Sequence, residues 1–427
     1  MTNFFVILAI LILTILIEIN YVFNRSISTT TESHENTINS NDQKVQIRTK
    51  KSAVKKGKFK WEFPIKYYIS QKLNKEVIKM AIKVIEAETC VNFTESLKHI
   101  KNEAGINFSH RKSVCSSEVG RQEPDLPQPV NLAKSCADNI GSVLHELGHA
   151  LGMRHEQARR DRDKYIKIIR KNIEQKLRYN FAREPLHNSE NFSISYDLSS
   201  LMHYDSYDFA IDDNYPTIVT LDPNYNAQIG QQNGYTFNDV KLINYLYCND
   251  TCPNGTLLNC QHYSYPDPKN CSQCKCPSGF AGHNCSILQK HSDYDKCGSH
   301  YYNATNKVQN LNKTGVMNCT FHIKAISGKI VNISVTELIA SPQPNISNGL
   351  YCFTGMALEI KHRIDKSVTG LCLCNETELP VNITSEGDEV IILWSAKQEN
   401  HTFSLTYKEI SETSTTSPTT TTSTSSP

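Results

Sequence analysis

The 427-residue chain has no excess of charge of either sign: 45 Lys and Arg face 43 Asp and Glu, a formal net charge of +2. That balance supplies no broad field for a polyanion and argues against nucleic acid as a partner. Long apolar runs are missing too, apart from Phe4 to Ile19, so a polytopic membrane protein is excluded. This one run has the length of an export signal, and residues 1–20 are read as a signal peptide. No Lys or Arg precedes it and no clear small-residue cleavage site follows, which leaves an uncleaved signal anchor as the alternative; no stable membrane span is expected once the signal is removed. Residues 21–51 lack hydrophobic periodicity and are rich in Ser, Thr and Asn, the composition of a pro-segment with little structure of its own.

Cysteine, by contrast, is abundant. Fifteen cysteines concentrated after Cys90, together with about sixteen N-x-S/T acceptor sequences such as those at Asn92, Asn191, Asn303 and Asn332, fit passage through an oxidising compartment and a secreted, extracellular protein. The basic step Arg48, Thr49, Lys50, Lys51 suits an activating protease that would cut between Lys51 and Ser52. The lysines that follow, up to Lys60, read as a solvated linker.

Between Trp61 and Cys248 lies the stretch with enough mixed apolar patterning for a sizeable core. Ile65 to Ser70 reads as a strand, and Asn74 to Thr89 places Val77, Ile78, Ala81, Ile82, Val84 and Ile85 at helical spacing. A second helix is expected from Asn139 to Leu151, capped by Asp138 or Asn139. The domain is therefore α+β. The second helix carries HELGHALGMRH, His145 to His155. His145 and His149 are four residues apart and share one helix face, where ring nitrogens reach a single metal at about 2.0–2.1 Å. Glu146 is one residue out of register, suited to touch a water rather than the metal. Gly152 can take positive φ, so the helix can end there and return His155 to the same ion.

After Cys248 the character changes. Cys252, Cys260, Cys271, Cys274, Cys276 and Cys285 fall within about 34 residues and require a disulfide-stapled module. A zinc knuckle is the competing reading, disfavoured because no C-x2-C pair recurs with His partners at metal spacing. From Cys297 to Lys408 the alternation of KIVNISVTELI and EVIILWSA reads as a β-sandwich, and residues 409–427 as a Ser/Thr-rich tail.

The residues after the metal motif, HEQARRDRDKYIKI from His155 to Ile168, together with SLMHY from Ser200 to Tyr204, Asn172–Ile173, the IGQ of Ile229 to Gln231 and the closing NYLYC, resemble the astacin family of zinc metalloendopeptidases. The resemblance covers residues 52–248 and implies a two-lobed, metzincin-like α+β catalytic domain. Residues 249–286 resemble an EGF-like module and 297–408 a CUB domain, an order typical of nematode astacins. It implies one zinc ion per subunit held by His145, His149 and His155, water activated by zinc with Glu146 as general base, Tyr204 as a further ligand or oxyanion donor, and Met202 beneath the site. The spacing from Ser52 to Trp61 implies that a freed Ser52 ammonium pairs with Glu156, the alternative being an ordinary surface carboxylate. The implied disulfides are Cys90–Cys248, Cys115–Cys136, Cys252–Cys271, Cys260–Cys274, Cys276–Cys285 and Cys297–Cys319, with Cys352 joined to Cys372 or Cys374.

Four positions depart from the family pattern. The spacing from Cys136 to His145 is one residue longer than is usual in the family, which suggests a small bulge before the helix; Met153 replaces the more usual aromatic; the pro-segment has no FxGD sequence; and Gln232 stands where Arg is common. The expected function is a secreted endopeptidase acting on extracellular or ingested protein. An extracellular binding protein acting through its EGF-like and CUB-like modules is the alternative.

Overall fold

The computed structural model describes residues 59–185, 192–252, 258–340, 351–374 and 378–411, all within the single unit Thr49–Pro427. The signal segment, the pro-segment, the Lys51–Ser52 bond and the end of the tail lie outside these residues.

Alternation of buried and outward positions makes Ile65–Ile69 a strand, β1, and its parallel neighbours are β2 (Phe93–Glu95) and β3 (Gly105–His110). Parallel neighbours need a crossover, which helix α1 (Lys75–Glu88) supplies. Asn74 caps it by accepting from the Val77 N–H, and Ile78, Ala81, Ile82 and Ile85 form the buried stripe. Beyond β3 come β4 (Ser116–Ser117) and β5 (Pro127–Leu132), completing a sheet of order β2-β1-β3-β5-β4 whose edge strand β4 alone runs antiparallel.

A short helix, α2 (Lys134–Ala137), precedes the His-bearing helix α3 (Ile140–Ala150), capped by Asn139 accepting from the Ser142 N–H. Between Cys136 and His145 the chain passes from α2, whose C-terminus is capped at Asp138, directly into α3. Val143, Leu144, Leu147 and Ala150 join the sheet core, where Trp61 Nε1 also donates to the Ala150 carbonyl at 2.8 Å. The lower lobe is mostly irregular, with a two-stranded ribbon of β6 (Ile166–Ile168) and β7 (Ile218–Thr220) and a last helix, α4 (Phe237–Tyr247). Thr236 and Asp239 form a reciprocal capping box on α4. Cys90–Cys248 ties its end to the end of α1, and Cys115–Cys136 fastens the segment before β4 to α2.

The next module contains two hairpins, β8 (Tyr265–Asp267) with β9 (Asn270–Lys275) and β10 (Phe280–Ala281) with β11 (Ile287–Leu288). Its buried apolar centre is little more than Cys274, Phe280 and Cys285 against Ile391, too small to hold a fold unaided. Cys252–Cys271, Cys260–Cys274 and Cys276–Cys285 do the holding, so no thiolates remain there for a zinc knuckle.

The final module is a sandwich entered through α5 (Tyr294–Cys297). One sheet has the order β12-β14-β19-β16-β17 and the other β13-β20-β15-β18, with strands β12 (Tyr301–Asn303), β13 (Gln309–Thr314), β14 (Met317–Lys324), β15 (Lys329–Ile339), β16 (Leu358–Lys361), β17 (Leu371–Leu373), β18 (Val381–Thr384), β19 (Glu389–Ala396) and β20 (Thr402–Ser411). Trp394, Phe321 and Phe403 fill the space between the sheets. The sandwich ends later than Lys408, because Lys329, Ile330 and Val331 still pair with Ser411, Ile410 and Glu409. Cys297 bonds Cys319 and Cys352 bonds Cys374, leaving Cys372 as a buried thiol. Among the described residues no helix is long and apolar enough to cross a membrane.

Gly141 fixes where α3 can sit. A Cβ there would lie 1.8 Å from the carbonyl oxygen of Gln232, so helix and loop approach backbone to backbone. Gly141→Ala should destabilise the protein by about 1–3 kcal/mol through overpacking. An unchanged denaturation midpoint would show that this contact is not closed in solution.

Candidate metal centre

Helix α3 places His145 and His149 one turn apart, and the helix then stops because Gly152 adopts φ +98°, with its N–H bonded to the His149 carbonyl at 2.8 Å. The chain reverses, and His155 arrives with its Nε2 3.3 Å from that of His145 and 3.1 Å from that of His149. Ligand atoms of all three lie within 4.8 Å of one another, the spacing of a set that can hold a metal ion. The Nδ1 atoms of His145 and His149 face the carbonyls of Leu201 at 2.8 Å and Met153 at 2.9 Å. A carbonyl can only accept, so those nitrogens carry the protons and leave Nε2 lone pairs for a metal. Burial lowers the pKa of each imidazole, that of His149 to about 3 with His145 adding to the effect. Three neutral imidazoles are a donor set that suits zinc. Met153 thus contributes its backbone, while its sulfur packs near Gly148.

Glu146 is buried, and its Oε2 has no protein hydrogen-bond partner. Burial raises its pKa to about 7. A partnerless buried carboxylate beside three convergent nitrogens fits a metal and its water, the groups that would complete it. Tyr204 sits across the site with its ring centroid 4.4 Å from that of His155, wedged between Phe181 and Phe209. Burial raises the pKa of its phenol, so the hydroxyl keeps its proton. Met202 is wholly buried; its sulfur would lie 3.0 Å from a Cβ at Gly148, and its carbonyl accepts from the Glu156 N–H at 2.9 Å.

Glu156 is no surface carboxylate. Its Oε1 accepts from Arg159 Nη1 at 3.1 Å and from the Asp197 N–H at 3.0 Å. Burial raises its pKa to about 7, against the pull of the Arg159 guanidinium. Beside it is a cavity of about 30 Å³, room for one or two water-sized groups, lined in part by Arg154, Asn238 and Asp239. Both amide atoms of Asn238 are buried there without a partner. Gln232, by contrast, turns to α3, where its Oε1 accepts from Ser142 Oγ at 3.2 Å.

Sequence reasoning did not identify Arg159, Asp197, Gln228 or Asp239 as parts of the site. Asp239 accepts from Ser200 Oγ at 2.6 Å and from the Leu201 N–H at 2.9 Å, and so holds the carbonyl that His145 uses. The T-x-x-D pattern of its capping box was a readable signal. Asp197 and Gln228 act through long-range pairings that no local pattern marks, and Arg159, besides its local ion pairs with Glu156 and Asp161, donates to the distant Ile194 carbonyl at 3.0 Å.

Two imidazoles on one helix face and a third returned by a glycine turn form a three-histidine set that could hold a metal ion, the kind of donor set used by zinc peptidases. Residues 53–248 match the family model Astacin, a peptidase family. Zinc metalloproteinase nas-34 of Caenorhabditis elegans is 34% identical over 366 residues, 85% of this chain and 58% of the relative. Zinc metalloproteinase nas-30 of the same organism is 35% identical over 355 residues, 82% of this chain and 45% of the relative. Among solved structures, the hatching-enzyme zinc-protease high choriolytic enzyme 1 of the medaka fish Oryzias latipes is 33% identical, covering 43% of this chain and 88% of that one, with a TM-score of 0.38. Residues 53–248 of the chain belong to the astacin family. The chain spans about half the length of the curated relatives it matches.

The raised pKa of Glu146 has a sign that can be tested in metal-free protein. Its carboxyl binds a proton more readily folded than unfolded, so its contribution is complete below about 4.5 and is lost as pH rises through about 7. Compared with Glu146→Gln, which does not titrate, the parent chain should lose up to about 3 kcal/mol of stability between those limits. Parallel stability–pH curves for the two proteins would contradict the desolvated carboxyl.

Proposed function

We propose that the protein is a secreted zinc-dependent endopeptidase that hydrolyses peptide bonds of extracellular proteins. The observation that carries this reading is the convergence of three Nε2 atoms, with the buried, partnerless carboxylate of Glu146 on the same helix, next in sequence to His145. Family membership supports zinc as the metal, with His145, His149 and His155 as its ligands and one ion per chain. Bound there, zinc supplies Lewis acidity to water and to the scissile carbonyl. Glu146 takes the proton of the attacking water as oxygen adds to the carbonyl carbon, then delivers it to the amide nitrogen as the C–N bond breaks. The Tyr204 hydroxyl, held protonated by burial, donates to the oxyanion. Nδ1 donation to Leu201 and Met153 keeps two ligands neutral and aimed.

Export is supported by seven disulfides, which persist in oxidising compartments. On this reading an activating protease cuts the Lys51–Ser52 bond. The new ammonium then enters the small cavity at Glu156 and meets the unpartnered Asn238 amide.

Glu146→Gln should retain zinc and lose about 10³-fold or more in kcat, read on a fluorogenic peptide with metal content measured in parallel. Near-normal turnover in that variant would rule out the assigned base. Tyr204→Phe should lower kcat by about 10²-fold with KM little altered; a change in KM alone would assign the phenol to substrate binding. N-terminal sequencing of secreted, active protein should begin at Ser52, and a start several residues away would refute the ammonium–Glu156 pairing.

A further inference from the structure

The stretch from Tyr196 to Asp205 carries three of the site's working parts: the Leu201 carbonyl under His145, the Met202 side chain and the Tyr204 phenol. The sandwich module grips this stretch along its length. Arg363 Nη1 donates to the Tyr196 carbonyl at 2.9 Å, and its guanidinium lies 5.0 Å over the ring of Tyr165, which stacks on Tyr196. Thr369 donates to Asp197 Oδ2 twice, from Oγ1 at 3.0 Å and from its N–H at 3.3 Å. Gln228 Nε2 donates both to Ser199 Oγ at 2.7 Å and to the Gly370 carbonyl at 3.0 Å, while its Oε1 accepts from the Cys372 N–H at 2.8 Å. The Tyr351 hydroxyl donates to the Asp205 carboxylate.

These are buried contacts rather than a wet rim between tethered domains. Gln228 is 0% exposed, Asp197 1% and Thr369 7%. Withdrawing the sandwich would strip the Asp197 carboxylate of both Thr369 donors and the Gln228 amide of its Gly370 and Cys372 partners, which is costly. The gripping loop is itself braced: Lys361 Nζ donates to the carbonyls of Lys366 and Val368 at 2.9 and 3.2 Å, and Glu359 Oε1 accepts from the Gly370 N–H at 2.8 Å. Its donors are therefore held in place before they meet the catalytic domain.

Each gripped residue is close in bonds to the metal centre. Asp197 donates its N–H to Glu156, the residue after His155, at 3.0 Å. The Tyr196 hydroxyl meets His203 Nε2 at 2.7 Å, and His203 Nδ1 meets the Tyr204 carbonyl at 2.7 Å. Ser199, two residues before Leu201, also has its carbonyl bound by Gln231 Nε2 at 2.7 Å.

We propose that the sandwich is a working part of the peptidase, with Arg363, Thr369 and Tyr351 as positioning residues that fix the Tyr196–Asp205 stretch and, through it, Tyr204 and the Leu201 carbonyl against helix α3. The catalytic consequence rests on the peptidase reading; the clamp itself does not. Small displacements of reacting groups carry large rate costs, while remote substrate binding is left intact.

The test uses the full, activated chain with Thr369→Val, Arg363→Met and Tyr351→Phe, the last removing a single oxygen atom. Three readouts are taken: kcat and KM on a peptide, the visible absorption of the cobalt-substituted protein, and amide exchange of residues 196–205 in metal-free protein. The clamp predicts kcat lower by about tenfold with KM within about twofold, an altered cobalt band, and faster exchange confined to that stretch. Wild-type kcat, cobalt band and exchange in Thr369→Val and Tyr351→Phe would overturn it, as would a fall in melting temperature with those three readouts unmoved. If the parent chain cleaves no peptide, the peptidase reading fails while the cobalt band and the exchange still decide the clamp.

Discussion

Two hydrogen bonds aim the metal centre, from His145 Nδ1 to the Leu201 carbonyl and from His149 Nδ1 to the Met153 carbonyl. They fix which nitrogen bears the proton and turn both Nε2 lone pairs inward. The fold can be understood as the means of holding those carbonyls still. Gly148 lets the Met153 N–H reach its carbonyl at 2.9 Å and leaves room for the Met202 sulfur; Asp239 anchors Ser200 and Leu201 from the first turn of α4; and Gly141 lets α3 lie against Gln232. Helix, loop and last helix thus meet at one point, with Cys90–Cys248 linking the far ends of α1 and α4.

Buried charge gathers around the three histidines. Glu146, Glu156, Asp197 and Asp239 are all raised in pKa by burial, and Arg159, a buried guanidinium bound to Glu156 and Asp161 and lying 5.3 Å over the Tyr196 ring, offsets the effect at Glu156. Glu156, Asp197 and Asp239 have hydrogen-bond donors from the protein, whereas Glu146 Oε2 has none. That asymmetry separates three carboxylates satisfied by the fold from the one that the proposed function uses as general base.

Much of this was legible in the sequence, for identifiable reasons. The histidine ligands follow from helical period plus one glycine, both local rules, and α1 follows from an apolar stripe with a polar cap at Asn74. The sandwich follows from two-residue alternation, although its last strand outruns the expected boundary because pairing with β15 continues to Ser411. The choice of Cys374 over Cys372 as partner of Cys352 was not legible, since the two are separated by one residue and so fall on the same side of an extended chain. Nor was the junction between modules: Thr369 and Asp197 are 172 positions apart, and nothing in either neighbourhood announces the other. Local chemistry is written locally, whereas the contacts that brace it are properties of the folded chain.

On the proposed function, His145, His149 and His155 hold a single zinc ion that Glu146 serves. Anomalous diffraction collected on both sides of the zinc edge from crystals of the secreted protein measures this directly. One zinc peak per chain bounded by the three Nε2 atoms is the result expected; a peak bound elsewhere, or full peptidase activity in crystals whose three histidines surround no metal, would contradict it.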